Sequence, residues 1–293
     1  MTRFGPLITA MVTPFDAEGR VDLEAAAALA EWLVAQGNDA LVVTGSTGEA
    51  STLTDDEQVE VWRAVRAAVS VPVIAGSGTN DTAHAAELTA QAARAGMDGV
   101  LVVTPYYNRP PQAGIEAHFR TLAAATPLPV LLYDIPIRSS RKIGHDMLVR
   151  LAHEVPNIVG VKDAAGNPAE TARTVADTPE DFFVYAGDDV NTLPMMAVGA
   201  VGIISVAAHW AAPEMHAMID AFERGDHAKA TEINASLIES YDFETGDLTP
   251  NPIPAKAMLR ALGHAVGECR PPMGPAPDGL ERTALDVLGR LHG

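Results

Sequence analysis

Residues 157–167 read NIVGVKDAAGN. Ile158–Val161 form a short run of apolar and small residues that passes into Lys162 and Asp163, and a loop follows. Such a run has no polar face. It reads as a strand buried on both sides, which a parallel sheet covered by helices on both faces requires. The pattern recurs along the chain. Strands are expected at 7–13, 40–44, 71–76, 99–105, 129–136, 158–163, 182–187 and 201–207. Ala-rich amphipathic stretches near 22–36, 55–69, 81–95, 112–125, 145–154, 168–177, 189–198 and 211–224 read as the helices that follow them. Thr54 and Glu57 form a capping-box pattern, Asp81 and Pro213 mark other starts, and Gly37 and Gly96 mark stops. Eight strand–helix units within residues 1–225 match an α/β fold of the (β/α)8 TIM-barrel type. An open doubly wound sheet is the alternative, but no G-x-G-x-x-G follows the first strand. Residues 226–293 contain no further strand and read as a C-terminal helical appendage, with helices near 226–242, 252–263 and 278–291.

The formal charge of −18 argues against nucleic acid and against anionic membrane surfaces, both of which select clustered Lys and Arg. The single cysteine, Cys269, cannot form an internal disulfide, and the N-terminal stretch MTRFGPLITAMVTPF lacks the long apolar region of a signal peptide. No apolar run is long enough to span a bilayer, so a cytoplasmic location is expected.

Barrel enzymes place their chemistry at the C-terminal ends of the strands. Here those ends carry TGSTGEAST after the second strand, TPYYNRPP after the fourth, LLYDIPIRSS at the fifth, Lys162 at the sixth, AGDD at the seventh and IISVAAH at the eighth. Lys162 could be solvated at its strand end or paired with Asp163. Alternatively, apolar surroundings favour its neutral amine, a nucleophile toward ketones that opens Schiff-base chemistry. Tyr133, on the preceding strand, is either a satisfied core tyrosine or a mover of protons. GSTGEAST lacks the Gly-Lys-Ser/Thr ending of a P-loop. It is either a flexible capped loop or a receptor for a small carboxylate through Ser46, Thr47 and backbone N–H groups. Arg138 is either a solvated loop arginine or a fork for a second carboxylate. Histidines are scattered with neither H-x-H nor H-E-x-x-H, and no flavin or nicotinamide signature is present, so neither metal nor cofactor is expected.

GSTGEAST, VTPYYNRPP, LLYDIPIRSS, NIVGVKDAAGN, AGDD and NPIPAKAML follow one another in the order and spacing of the dihydrodipicolinate synthase family, which the chain resembles over essentially its whole length. That family sits within the pyruvate-dependent class I aldolase superfamily. The resemblance implies condensation of pyruvate with L-aspartate 4-semialdehyde to 4-hydroxy-tetrahydrodipicolinate, on the lysine (diaminopimelate) route, by a homotetramer built as a dimer of dimers. It implies that Lys162 forms the Schiff base and that Tyr133 relays protons. Ser46 stands at the threonine of the hydroxyl relay, and Tyr107 is the tyrosine a neighbouring subunit inserts. Thr47 would receive the pyruvate carboxylate, Arg138 would meet the aldehyde's carboxylate, and Gly187 and Ile204 would line the pocket. Two positions depart from the family pattern. Ser46 retains the hydroxyl of the usual threonine, in a motif shared with N-acetylneuraminate lyases. Ile137 replaces a glycine and lacks its freedom at positive φ, so the backbone that aims Arg138 is expected to differ. The alternatives are a relative acting on N-acetylneuraminate or 2-keto-3-deoxy sugar acids, and a catalytically silent binding protein on the same scaffold.

Lysine-sensitive members of the family bind L-lysine at the tight-dimer interface. Asn80 and Tyr106 match polar residues of that cleft. The glutamate that pairs with the ligand's amino group reads His84 here, and Asp55 and Gln58 stand where sensitive relatives often carry histidines. Losing one partner of a buried charge pair costs ~2–5 kcal/mol, which is about one and a half to three and a half orders of magnitude in affinity. Turnover is therefore expected to respond weakly or not at all to added L-lysine, and submillimolar inhibition would overturn that reading.

Overall fold

The computed structural model describes residues 4–292. Its eight strands, β1 (Leu7–Ala10), β2 (Ala40–Val43), β3 (Val73–Gly76), β4 (Gly99–Val103), β5 (Val130–Asp134), β6 (Ile158–Asp163), β7 (Phe183–Ala186) and β8 (Ile203–Ser205), close into a barrel in sequence order. The pairs with defined register are parallel, as the two-sided apolar runs require. Every residue of β1, β2, β3, β5, β6 and β8 is buried. The (β/α)8 architecture expected from the sequence is the one observed.

Among the described residues, twelve helices accompany the strands: α1 (Leu23–Ala35), α2 (Asp55–Ala68), α3 (Thr82–Arg94), α4 (Gln112–Ala124), α5 (Pro136–Ser139), α6 (His145–Glu154), α7 (Pro168–Asp177), α8 (Thr192–Met196), α9 (Ala212–Glu223), α10 (His227–Phe243), α11 (Ile253–Ala261) and α12 (Leu280–His292). Their starts follow side-chain chemistry. Thr54 and Glu57 satisfy each other's backbone N–H groups in a complete capping box on α2. Asp22, Asp81, Asn167 and Asp226 accept first-turn N–H groups of α1, α3, α7 and α10. Gly37 and Gly96 follow α1 and α3 at positive φ, where a helix stop favours glycine.

Two expectations are corrected. The fifth strand ends at Asp134 rather than running to Pro136, because Pro136 opens the one-turn helix α5, and a proline at a first helical position loses no needed hydrogen bond. The helix expected over 189–198 opens as a 3₁₀ turn at Asp189–Asn191, where the Thr192 hydroxyl donates to the Asp189 carbonyl at 2.8 Å, and becomes α-helical only at Thr192.

The chain forms two compact units. One contains residues 4–6 and Pro72–Ile204, the other Leu7–Val71 and residues 205–292. In the first unit, β5 and β6 divide their side chains between two faces. Asp134 turns outward, accepting from Lys142 Nζ at 3.0 Å and from the Ile143 N–H at 3.1 Å. Asp163 turns outward too, accepting from the Thr171 hydroxyl at 2.8 Å and the Ala165 N–H at 3.0 Å. Tyr133 and Lys162 therefore face inward.

In the second unit, the loop after β2 is held by buried ions. Glu49 lies 2.7 Å from Lys256 Nζ with both side chains fully or almost fully buried. Its other carboxylate oxygen accepts from the Arg270 backbone N–H at 2.8 Å. Lys256 also donates to the Glu268 carbonyl at 3.0 Å. The Phe15 ring lies 4.0 Å from the Lys256 ammonium and 4.4 Å from the Arg270 guanidinium, so two cations share one aromatic ring. Arg270 grips both Glu57 oxygens, at 2.6 and 3.0 Å, and these bonds hold the Glu57 carboxyl at about 2, well below its usual range. Removing one partner of a buried pair strands the other and costs about 3–5 kcal/mol. Lys256→Met is expected to lower the melting temperature by at least ~6 °C, and adding Glu49→Gln should restore part of the loss. A single variant that melts like the parent would contradict the pairing.

Candidate active site

The row of Cα partners across β5, β6 and β7 is Tyr133, Lys162 and Tyr185. In a parallel sheet, register partners project from the same face, so all three point inward. Lys162 is 4% exposed and Tyr133 6%, and the Lys162 ammonium nitrogen lies 4.6 Å from the centre of the Tyr133 ring. That burial excludes the solvated strand end for Lys162. Asp163 faces the helices and spends its oxygens on Thr171 and Ala165, while Lys162 faces the other way.

Burial pushes the Tyr133 phenol well above the ordinary tyrosine value, the Arg138 guanidinium pulls it back down, and Asp188 adds to the rise. At neutral pH the hydroxyl therefore keeps its proton, so it can both donate and accept, which a relay requires.

Gly187, after β7, has its own steric reason. A Cβ there would lie 2.8 Å from Ala164 Cβ and 2.9 Å from Lys162 Cγ. A side chain would press on the stem of the lysine, so glycine keeps the path of Lys162 open. The Gly187 N–H donates to the Asp163 carbonyl at 2.8 Å and ties the two strand ends together. Ile204 is fully buried on β8 and points opposite to Ser205.

Arg138 sits in α5, whose last residue, Ser139, donates through its hydroxyl to the Ile135 carbonyl at 3.0 Å and the Arg141 carbonyl at 2.7 Å. The expected difficulty at Ile137 does not arise. Residue 137 lies inside a right-handed helical turn, and the positive φ falls at Ser140 (+60°). The price of this arrangement is an isoleucine side chain left 88% exposed.

Tyr107 does not join Lys162 and Tyr133 within the chain. It stands 89% exposed on the loop after β4, with φ at +72°, a conformation that non-glycine residues rarely adopt.

In the second unit, Ser46 is exposed at the tip of the loop after β2, and Thr47 is buried. The Thr47 hydroxyl accepts from Asn251 Nδ2 at 2.9 Å, and Thr13 donates to the Gly48 carbonyl at 2.7 Å. The sequence alone gives no role to Asn251, Glu49 or Lys256. A signal existed for the last two. A lysine inside the apolar run IPAKAML and a glutamate in a loop of small residues each need a partner when buried.

The chain has only four lysines. Lys142 bridges Asp134 and Glu170, Lys229 pairs with Glu232, and Lys256 pairs with Glu49. Lys162 is the one that projects from the inner face of a barrel strand. Lys142 instead belongs to an outward cleft of about 440 Å³ lined by Asp134, Asp163, Glu170 and Arg173. Among the described residues, no group of three or more His, Cys, Asp and Glu side chains is placed to hold a metal ion.

Residues 3–288 match the model of the dihydrodipicolinate synthetase family. The 4-hydroxy-tetrahydrodipicolinate synthase of Synechococcus sp. (strain CC9605) is 49% identical over 99% of this chain and 96% of its own length. Among solved structures, a dihydrodipicolinate synthase from Bacillus anthracis is 43% identical with a TM-score of 0.95, over 99% of each chain. The enzyme of Cyanidioschyzon merolae, solved with lysine bound, is 42% identical with a TM-score of 0.95, over 99% of this chain and 98% of that one. With its inward lysine and tyrosine on neighbouring strands of a closed eight-stranded barrel, the chain belongs to the dihydrodipicolinate synthetase family.

Proposed function

We propose that the protein is a Schiff-base lyase that condenses pyruvate with L-aspartate 4-semialdehyde to give 4-hydroxy-tetrahydrodipicolinate, in lysine biosynthesis. The observation that carries this reading is the inward row on β5 and β6, with the Lys162 nitrogen 4.6 Å from the Tyr133 ring. The Lys162 amine adds to the ketone carbon of pyruvate, and loss of water leaves an iminium. Loss of a methyl proton gives the enamine, whose carbon attacks the aldehyde of the second substrate. That substrate's own amino group then closes the ring on the former ketone carbon and releases Lys162. Each of these steps moves a proton, and Tyr133, protonated and buried, is the group beside the lysine suited to carry it.

Ser46 continues the relay, Thr47 donates to the pyruvate carboxylate, and Gly187 and Ile204 line the pocket. Arg138 meets the carboxylate of the aldehyde, whose two oxygens match a guanidinium fork. The covalent intermediate on Lys162 supplies the electron sink, so the proposed cycle requires no cofactor. Residues 1–225 serve as the catalytic barrel and 226–293 as its helical support.

Tyr107, exposed and held at positive φ, is suited to reach a neighbouring subunit, which supports a homotetramer made of two dimers. Among the described residues no helix is long and apolar enough to cross a membrane. A cytoplasmic location is proposed on the sequence grounds given above.

Treatment with pyruvate and borohydride should add one reduced pyruvyl group to the peptide containing Lys162, and none in Lys162→Ala. An adduct on Lys142 or Lys256 would refute the assignment. Presenting aspartate semialdehyde beside sugar-derived aldehydes in the same assay separates this reading from that of a sugar-acid lyase. Tyr133→Phe should lower kcat by about 10²–10⁴-fold while pyruvate binding changes far less. A variant with near-normal kcat would remove Tyr133 from the mechanism.

A further inference from the structure

A threonine hydroxyl has one proton to give and two lone pairs to receive. Which of these faces a ligand depends on what the surrounding protein takes. Thr47 is buried, and its oxygen accepts from the side-chain amide of Asn251 at 2.9 Å, across 204 positions of sequence. An amide nitrogen donates and cannot accept. One lone pair of Thr47 is thereby occupied, and the Asn251 amide leaves the Thr47 proton uncommitted. Among the described residues, the Thr47 hydroxyl has this one hydrogen-bond partner.

We propose that Asn251 is a positioning residue for substrate binding: its amide fixes the Thr47 hydroxyl as a donor, aimed at the carboxylate of pyruvate. The proposal rests on the reading of Thr47 as the carboxylate's partner. A carboxylate is an acceptor only, so a hydroxyl helps to bind it just when its proton is available. A donor behind that hydroxyl also polarises it, since hydrogen bonds in a chain strengthen one another. The placement of Asn251 is itself fixed. Its backbone N–H donates to the Thr245 hydroxyl at 3.3 Å. Five positions on, Lys256 reaches Glu49, two residues after Thr47, at 2.7 Å. The segment 251–256 thus holds the loop at both Thr47 and Glu49. Glu49 tolerates a left-handed φ of +55°, a conformation that persists only where the surroundings over-determine it.

The test is steady-state kinetics with pyruvate as the varied substrate, on the full chain, with melting curves as a folding control. Asn251→Ala should raise KM for pyruvate by about tenfold, with a much smaller effect on kcat. In a Thr47→Val background, where there is no hydroxyl to orient, the same change should move KM by less than about twofold. Asn251→Asp has the same shape but accepts hydrogen bonds. It should capture the Thr47 proton and raise KM more than Asn251→Ala does, and it decides the matter if the alanine variant fails to fold. Wild-type KM in Asn251→Asp would overturn the proposal, as would an equal loss from Asn251→Ala in both backgrounds. If Thr47→Val raises KM and Asn251→Ala does not, the positioning role alone falls. If Thr47→Val itself leaves KM unchanged, the carboxylate reading of Thr47 falls and the proposal with it. The pyruvate adduct on Lys162 would survive in either case.

Discussion

A β-strand offers its side chains alternately to two faces, and in a closed barrel those faces are a packed interior and a helix-covered exterior. This alternation lets adjacent residues live in opposite environments. Lys162 and Asp163 are neighbours in sequence, and so are Tyr133 and Asp134. In each pair the first residue faces the barrel interior and the second the helices. The outward aspartates tie the strand ends to Lys142 and Thr171, and that anchoring holds the inward pair steady. Burial pushes the Asp134 carboxyl up to about 6 against the pull of Lys142, so even the anchoring layer operates under desolvation. A one-residue slip of β6 would place a carboxylate inside and the amine outside, and the chemistry would vanish with the strand otherwise intact.

The fold was legible in the sequence because strands buried on both faces lose the polar alternation of an ordinary sheet. All eight expected strands and the helices between them are present, although several strands are shorter than the apolar runs suggested. The first run extends to Thr13, while β1 ends at Ala10. Apolar composition reports burial, and residues 11–13 are buried without being paired as a strand. Of the candidate site, Lys162 and Tyr133 can be read from their places on neighbouring strands, whereas Gly187 enters only through the family resemblance. Asn251 and Lys256 could not be given partners, because Thr47 and Glu49 lie about 200 residues away and nothing in local spacing encodes such a contact. The helical turn that seats Ile137 was also hidden, since it depends on Ser139 and Ser140 rather than on residue 137.

Charge is distributed with the same economy. A chain with a formal charge of −18 has many carboxylates to spare and few amines. Lys142, Lys229 and Lys256 are paired with acids, and the deepest of these pairs locks the loop that carries Ser46 and Thr47. Cys269 sits beside this pair, and burial together with the Glu49 charge pushes its thiol up to about 12, so it is a packing group rather than a reactive one.

The clamp on that loop also orders events during synthesis. Glu49 waits for Lys256 and for the backbone of Arg270, which follows it by 221 positions. At ribosomal rates of roughly 5–20 residues per second, that interval is about 10–45 s. Before it ends all eight strands have been made, while the carboxylate in the loop still lacks its cation and must stay hydrated. The nascent chain thus keeps the loop after β2 open to water until α11 and the segment that carries Arg270 arrive.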